Sequence, residues 1–344
     1  MKPILTTCLA AAAAAISIFP ASAETEIDIA STFPKDMIFL GDGLKEFAKD
    51  LEEISGGELR ANIHGAGELV PALEVLNSVS SGAIAAGYDW VGYWGGSIPV
   101  ANLVGALPFG PSPQVLGEWM WEGGGMEIMQ SAYDKYNVKF LPCVITPAEP
   151  AGWFNKEINS PADLEGLRMR IGGLAGRAIS KLGVSTQVIP GGEVFVSLER
   201  GRIDAAEFSL PTIDTSLQLQ NAAKYYYFPG WHQPSSINSV IFNKAVWDGF
   251  DEIQQAQIVA ACRSAYLWSQ TSATRNQSKA LTELEAGGTE IRSLPSTVLD
   301  ALRGAVAEVI AEESAKDPIF KEAYESLTAH ITASAKWQNL QTLE

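Results

Sequence analysis

The sequence predicts an α/β fold of two lobes followed by a long helical tail. Three observations carry that expectation. Strand-type and helix-type apolar periods alternate from residue 25 through Glu207, helical patterning takes over after about Lys244, and 344 residues exceed what one core usually holds. Residues 25–30 alternate as a first strand. Residues 41–54 form an amphipathic helix with Leu44, Phe47, Ala48 and Leu51 on one face, ended by Gly56-Gly57. Residues 59–63 are a second strand, 68–80 a helix, and 83–88 a small-residue strand after Gly82. This order implies parallel sheet covered by helices, with a ligand cleft between the lobes. Residues 251–286, and then Pro295 to the end, read as helix with brief breaks at Gly304 and Pro318. Leu302, Val306 and Val309, then Ile319, Ala323 and Leu327, keep the apolar stripe.

Residues 1–23 have the three parts of a secretory signal: Lys2, an apolar run from Ile4 to Phe19, and the small-residue cleavage site Ala21-Ser-Ala23. A membrane anchor fits less well, because Pro20 interrupts a run that would need roughly 20 apolar residues. Cys8 lies too early, after Leu5-Thr-Thr, for lipid attachment. The mature chain is therefore expected to begin near Glu24, and no later segment is long and apolar enough to span a membrane. The formal net charge is −16, one unit more negative once Lys2 is removed. Such an acidic surface disfavours nucleic acid and anionic lipid, and an anionic ligand then needs a local positive feature. Cys143 sits in a strand-like run and Cys262 in a helical one. They read as two buried thiols more readily than as a pair, although an oxidising compartment permits pairing.

Enzyme signatures are missing. His64, His232 and His330 are far apart in sequence, with no H-E-x-x-H, Cys-His zinc spacing, G-x-S-x-G or phosphate-binding loop. Gly172-Gly-Leu-Ala-Gly176 follows a strand but has the wrong glycine spacing for a dinucleotide. A binding module is the better class. Asp163-Leu-Glu-Gly-Leu-Arg-Met-Arg170 reads as a short helix, a turn at Gly166 and a strand delivering Arg170, with Gly172, Gly173 and Gly176 opening a helix over 177–182. A guanidinium at a strand end beside helix N–H groups suits a carboxylate; the alternative is a surface ion pair with Asp163 or Glu165. Glu207 ends an apolar strand, so it is expected to be half-buried and to need a cation, donor groups or a lysine. Glu149 lies where Pro147-Ala-Glu-Pro-Ala-Gly-Trp153 crosses between strands, and composition alone would leave it solvated. The aromatic run from Tyr225 to Pro234 suits both core and cleft wall.

Together these segments resemble the substrate-binding proteins of the tripartite ATP-independent periplasmic (TRAP) transporters, over essentially the whole mature chain. The specific marks are Asp163–Arg170, Leu198-Glu-Arg-Gly-Arg-Ile-Asp-Ala-Ala-Glu207 and Tyr226-Tyr-Phe-Pro-Gly-Trp231. Trp153-Phe154 and Gly172-Gly173 bring the chain closest to the branch that binds 2-oxo acids and lactate with a metal ion. The resemblance implies a two-lobed periplasmic binding protein fold with crossing strands and long C-terminal helices. Residues 24–147 with about 234–275 would form one lobe, 148–233 with about 276–300 the other, and 301–344 would brace both. It also implies Arg170 as a carboxylate clamp beside a Ca²⁺ or Na⁺ ion. Glu207 and the backbone carbonyl of Phe208, where the family usually has tryptophan, would hold that ion with Glu149 and Gln233. The branch has glutamine and glutamate at the last two places, so here acid and amide are exchanged. Trp90, Tyr93, Trp94, Phe208 and Trp231 would close over the apolar end of the ligand. The implied partners are a small organic carboxylate and the membrane permease subunits, with no organic cofactor and no nucleic acid. The implied state is a periplasmic monomer, or a homodimer through helices that include Lys336-Trp-Gln-Asn-Leu340. A sensor or scavenger that signals to a membrane partner without transport is the second reading.

Overall fold

The computed structural model describes residues 24–341. The expected signal segment 1–23, with Cys8 and its cleavage site, lies outside the described residues, as do residues 342–344. In chain order the strands are β1 Thr25–Ser31, β2 Leu59–His64, β3 Ala86–Trp90, β4 Val138–Pro147, β5 Gly152–Phe154, β6 Arg168–Arg170, β7 Ser185–Gln187, β8 Ala205–Ala206, β9 Tyr225–Phe228, β10 Ser235–Asn243 and β11 Glu290–Ser293. They form two sheets, ordered β2-β1-β3-β10-β4 and β11-β9-β5-β8-β6-β7.

Both sheets are mixed, which corrects the expectation of parallel sheet. β1 is parallel to β2 and β3, but β10 enters antiparallel between β3 and β4. In the second sheet β6 is parallel to β7 and β8, whereas β5 is antiparallel to β8 and β9. The cause is connectivity: a chain that leaves one sheet for the other and then returns comes back pointing the opposite way. The outward crossing is residues 148–151, between β4 and β5; the return is 229–234, between β9 and β10. The two crossings are tied together. Glu149 N donates to the Gln233 carbonyl at 3.3 Å and Ala151 N to that of Tyr227 at 2.7 Å. A Cβ on Gly230 would lie 1.6 Å from the Glu149 carbonyl oxygen, so only glycine permits this approach.

Several helix ends differ from the sequence pattern. Residues 68–80 contain only the 3₁₀ turn Ala72–Glu74 and the helix Val75–Ser80. The helix after Arg170 starts earlier, over Gly173–Ser180. Gly304 does not interrupt Ser296–Lys316. A helical glycine costs about 1 kcal/mol, and burial of the neighbouring Leu302, Ala305, Val306 and Val309 outweighs that. Conversely, residues 251–286 split into Glu252–Ser272 and Gln277–Ala286, with Asn276 left-handed at φ 65° between them. Pro318 does open a new helix, Pro318–Gln341.

These last two helices reach both sheets' lobes. Ser296–Lys316 packs on Gly173–Ser180, with Arg177 to Glu313 at 2.6 Å and Lys181 to Glu312 at 2.7 Å. Pro318–Gln341 packs on helices Pro113–Glu122 and Gly125–Asp134, burying Phe320, Ala323 and Leu327, and Trp119 Nε1 donates to Ser326 Oγ at 3.0 Å. Exposed ion pairs contribute little, so the apolar contacts hold these helices in place. Cys143 of β4 and Cys262 of Glu252–Ser272 form a disulfide, which corrects the reading of two thiols. That helix lies directly on β4, a packing no sequence period reveals.

At the end of β3 a buried carboxylate tests the packing. Asp89 accepts from Ser239 Oγ at 2.5 Å and Trp94 Nε1 at 2.6 Å. Burial outweighs these donors and pushes its pKa up to about 6. The folded protein then binds this proton more tightly than the unfolded chain. Stability from Asp89 is therefore full below about pH 4 and is lost as pH rises to about 6, by on the order of 2–3 kcal/mol. Denaturant midpoints measured from pH 4 to 7 should fall more steeply in the wild type than in Asp89→Asn; equal slopes would contradict this.

Candidate functional site

The cleft is built from strand ends and crossings. Arg170 is the last residue of β6 and pairs with Ala206 of the parallel β8, so Glu207, the next residue, emerges beside it. Glu207 N donates to the Arg170 carbonyl at 3.1 Å. In return Arg170 Nη1 donates at 2.6 Å to both the carbonyl and Oε1 of Glu207, and Nε donates to the Ile189 carbonyl at 3.2 Å. The guanidinium carbon lies 5.1 Å from the centre of the Phe208 ring. Arg170 and Glu207 are both buried. Burial is the largest influence and would raise the Glu207 pKa, but the Arg170 charge, His232 and the Gly172 N–H together outweigh it and hold the carboxyl below its ordinary range.

Arg170 therefore makes no surface pair with Asp163 or Glu165. Asp163 instead caps its own turn, accepting from the Asn159 and Ser160 backbone N–H groups and the Ser160 hydroxyl. Nor does Glu207 pair with a lysine; Arg170 is its partner. Glu149 is not solvated. It is 4 % exposed, because the crossing that carries it is pressed against Gly230.

Glu149 Oε1 accepts from Ser209 Oγ at 2.8 Å, while its Oε2 is buried with no hydrogen-bond partner. Burial raises the pKa of this carboxyl. Ser209 is itself anchored, its N–H donating at 3.1 Å to Asp214, which also accepts from Trp153 Nε1 at 2.9 Å and Tyr226 OH at 2.8 Å. His232 occupies the return crossing. Its Nε2 lies 3.4 Å from Glu207 Oε2 and 3.8 Å from Glu149 Oε2, yet neither ring nitrogen has an aligned hydrogen-bond partner. Burial works against charge on His232, and the two carboxylates outweigh it, lifting its pKa to about 9.

Ligand atoms of Glu149, Glu207 and His232 all lie within 4.8 Å of one another. Asn238 Oδ1, on the same cavity wall, is a further buried acceptor without a partner. Converging orphan acceptors with two carboxylates form a donor set that suits a cation. The cavity contains about 330 Å³ of space between atoms, but the centre of a water-sized sphere can move through only about 20 Å³ of it. The smaller figure sets the scale, and it describes a tight site for a compact ligand.

Arg170, Glu149, Glu207, Phe208, Gln233, Trp90 and Tyr93 line this cavity. Trp94 and Trp231 do not. Trp94 turns inward to Asp89, and Trp231 packs on Phe109 with ring centres 5.8 Å apart. Gln233 directs its amide nitrogen to Ser236 Oγ at 3.0 Å, and His232 rather than Gln233 stands between the carboxylates. Sequence reasoning missed His232, Ser209, Thr146, Ser236 and Asn238. The available signal for His232 was its place beside an expected ligand, which the wide sequence spacing of the three histidines obscured.

A tight, charged cavity where two chain crossings meet two strand ends defines a two-lobed solute-binding protein. The family described as bacterial extracellular solute-binding protein, family 7 (DctP), matches residues 30–317, and this chain belongs to it. It is a family of binding proteins rather than enzymes. A monocarboxylate 2-oxoacid-binding periplasmic protein of Nostoc is 36% identical over 301 residues, covering 88% of this chain and 83% of that protein. A TRAP transporter solute-binding protein from Bordetella bronchiseptica, with calcium and picolinate, has a TM-score of 0.90 at 31% identity, covering 93% of this chain and 95% of that one. Another from Colwellia psychrerythraea, with calcium and pyruvate, has a TM-score of 0.88 at 32% identity, covering 92% and 97%. A third, from Pseudoalteromonas atlantica with sodium and pyruvate, has a TM-score of 0.89 at 31% identity, covering 93% and 100%. The two-lobed α/β fold with long C-terminal helices is thus that of the TRAP solute-binding proteins. Among the described residues no helix is long and apolar enough to cross a membrane.

Proposed function

We propose that this protein captures a small 2-oxo acid of about the size of pyruvate, together with one cation, in the periplasm and delivers it to a TRAP membrane permease. The observation that carries this reading is the buried cluster of Arg170, Glu207 and Glu149 lining one small cavity, with His232 beside the two carboxylates. Pyruvate-bound relatives near 30% identity support the ligand class, and the cavity's size argues for a few-atom acid over a sugar acid. Arg170 commits Nε and Nη1 to the protein, so the ligand carboxylate meets its Nη2 edge in a one-sided contact rather than a two-pronged one. Glu149 and Glu207 hold the cation, which supplies positive charge for the oxygens of the acid. Ser209 orients Glu149, and Trp90, Tyr93 and Phe208 exclude water from the ligand's methyl end. Binding between two lobes then favours the closed arrangement presented to the permease.

A thermal-shift screen of 2-oxo, 2-hydroxy and aromatic acids, with Ca²⁺ or with chelator, tests the ligand. At about 100 times Kd a binder adds about 2.7 kcal/mol, roughly 4 °C for a chain of this size. Pyruvate or a near homologue should give that shift with cation present. No shift with any small 2-oxo acid under either condition would sink the proposal.

A further inference from the structure

We propose that the ring of Tyr93 sets the length limit of the ligand, by walling the acid's cavity off from an open groove that would otherwise receive a longer tail. The assignment rests on the small 2-oxo acid reading and adds the residue that keeps the acid small. Two separate spaces lie side by side in the cleft. The inner one is the cavity lined by Arg170 and Glu207, where the centre of a water-sized sphere can move through about 20 Å³. The outer one is a groove between the turn Val91–Trp94 and the junction of β6 with the helix Gly173–Ser180. There the same sphere's centre can move through about 560 Å³. Among the described residues Tyr93 alone lines both spaces.

The residues on either side of Tyr93 are fixed, which leaves its ring as the partition. Trp90 lines only the inner cavity, and its Nε1 donates to the Gly105 carbonyl at 3.0 Å. Its ring lies on Gly92, where a Cβ would fall 2.3 Å from a ring carbon. Trp94 is drawn the other way by its bond to Asp89 at 2.6 Å. Between these two anchors the half-buried Tyr93 stands edge-on to Trp90, with ring centres 5.0 Å apart and planes at 90°. Beyond it the groove is bordered by glycines. A Cβ on Gly96 would meet nothing within 4 Å, and one on Gly173 only Asn102 Oδ1 at 3.1 Å. Asn102 is buried and this oxygen has no hydrogen-bond partner, so the groove offers an acceptor as well as room. A close-fitting pocket discriminates against one added methylene by about 10–200-fold, and an open groove imposes no such limit. Removing the Tyr93 ring joins the two spaces.

The test is calorimetric titration of the mature protein, in Na⁺ buffer with Ca²⁺ added, against straight-chain 2-oxo acids from pyruvate to 2-oxohexanoate. The 2-hydroxy acids of the same lengths are run beside them, in wild type, Tyr93→Ala, Tyr93→Leu and Tyr93→Phe. Wild type should bind pyruvate at least about tenfold more tightly than 2-oxopentanoate. Tyr93→Ala should bring the two within about threefold, whatever its absolute affinity, because the variant lets the tail pass into the groove. Tyr93→Phe should keep the wild-type ratio, since the ring and not the hydroxyl is the wall. Tyr93→Leu should fall between, and it supplies the result should the alanine variant fail to fold. A wild type that binds 2-oxopentanoate as tightly as pyruvate, or a ratio unmoved in the folded alanine and leucine variants, would overturn the assignment. The two acid series separate the two readings. Pyruvate binding with an unmoved length ratio defeats only the Tyr93 partition. Binding of 2-hydroxy acids alone, with a ratio that collapses in Tyr93→Ala, defeats only the 2-oxo acid, and binding of neither series defeats both.

Discussion

Arg170→Ala is expected to abolish acid binding and to destabilise the protein by about 3–5 kcal/mol. The guanidinium is buried and makes three hydrogen bonds to protein groups, two of them to Glu207. Its removal leaves the Glu207 carboxylate inside the cleft without its compensating charge, the expensive way to break a buried pair. It also removes the fixed positive charge offered to the ligand. Arg170→Lys should fall between, since one ammonium cannot reproduce a fork that reaches Glu207 Oε1, the Glu207 carbonyl and the Ile189 carbonyl together. Denaturant unfolding measures the first effect and pyruvate titration the second. An alanine variant that binds pyruvate within about threefold of wild type would remove Arg170 from the site.

Breaking the Cys143–Cys262 disulfide should cost about 2–5 kcal/mol. The bond joins positions 119 residues apart, and a closed loop of that length restricts the unfolded chain strongly. It also fastens the helix Glu252–Ser272 to β4, the strand that leads into the crossing bearing Glu149. The double variant Cys143→Ala, Cys262→Ala should therefore unfold at lower denaturant while keeping ligand affinity within a few-fold, because no site residue is altered. An unchanged midpoint, in the variant and under reductant alike, would contradict this.

What the sequence made legible follows from period and position. Strand β1 alternates over its first residues, and Leu44, Phe47 and Leu51 mark one helix face, so these elements could be read directly. Arg170 could be placed because it ends the short strand β6, and Glu207 because it directly follows the apolar β8. β10 left no such signal: all nine of its residues are buried, and Ser235, Ser236, Asn238 and Ser239 sit inside as polar lining and ladder partners. Missing it also hid the mixed sheet, which arises from the return crossing. The disulfide and the inward turns of Trp94 and Trp231 depend on contacts between distant segments, for which the sequence has no local mark, and His232 had only its place beside an expected ligand. Gly304 shows the opposite error, a local breaker overruled by burial of its neighbours.

The most direct measurement is a crystal structure of the mature protein grown with pyruvate and a divalent cation. The acid should lie between the lobes with its carboxylate at hydrogen-bond distance from Arg170 Nη2. One ion should be bonded to Glu149 and Glu207, with ligand distances between about 2.0 and 2.6 Å. Pyruvate bound elsewhere, or an acid in the cleft that touches neither Arg170 nor an ion held by those two carboxylates, would contradict it.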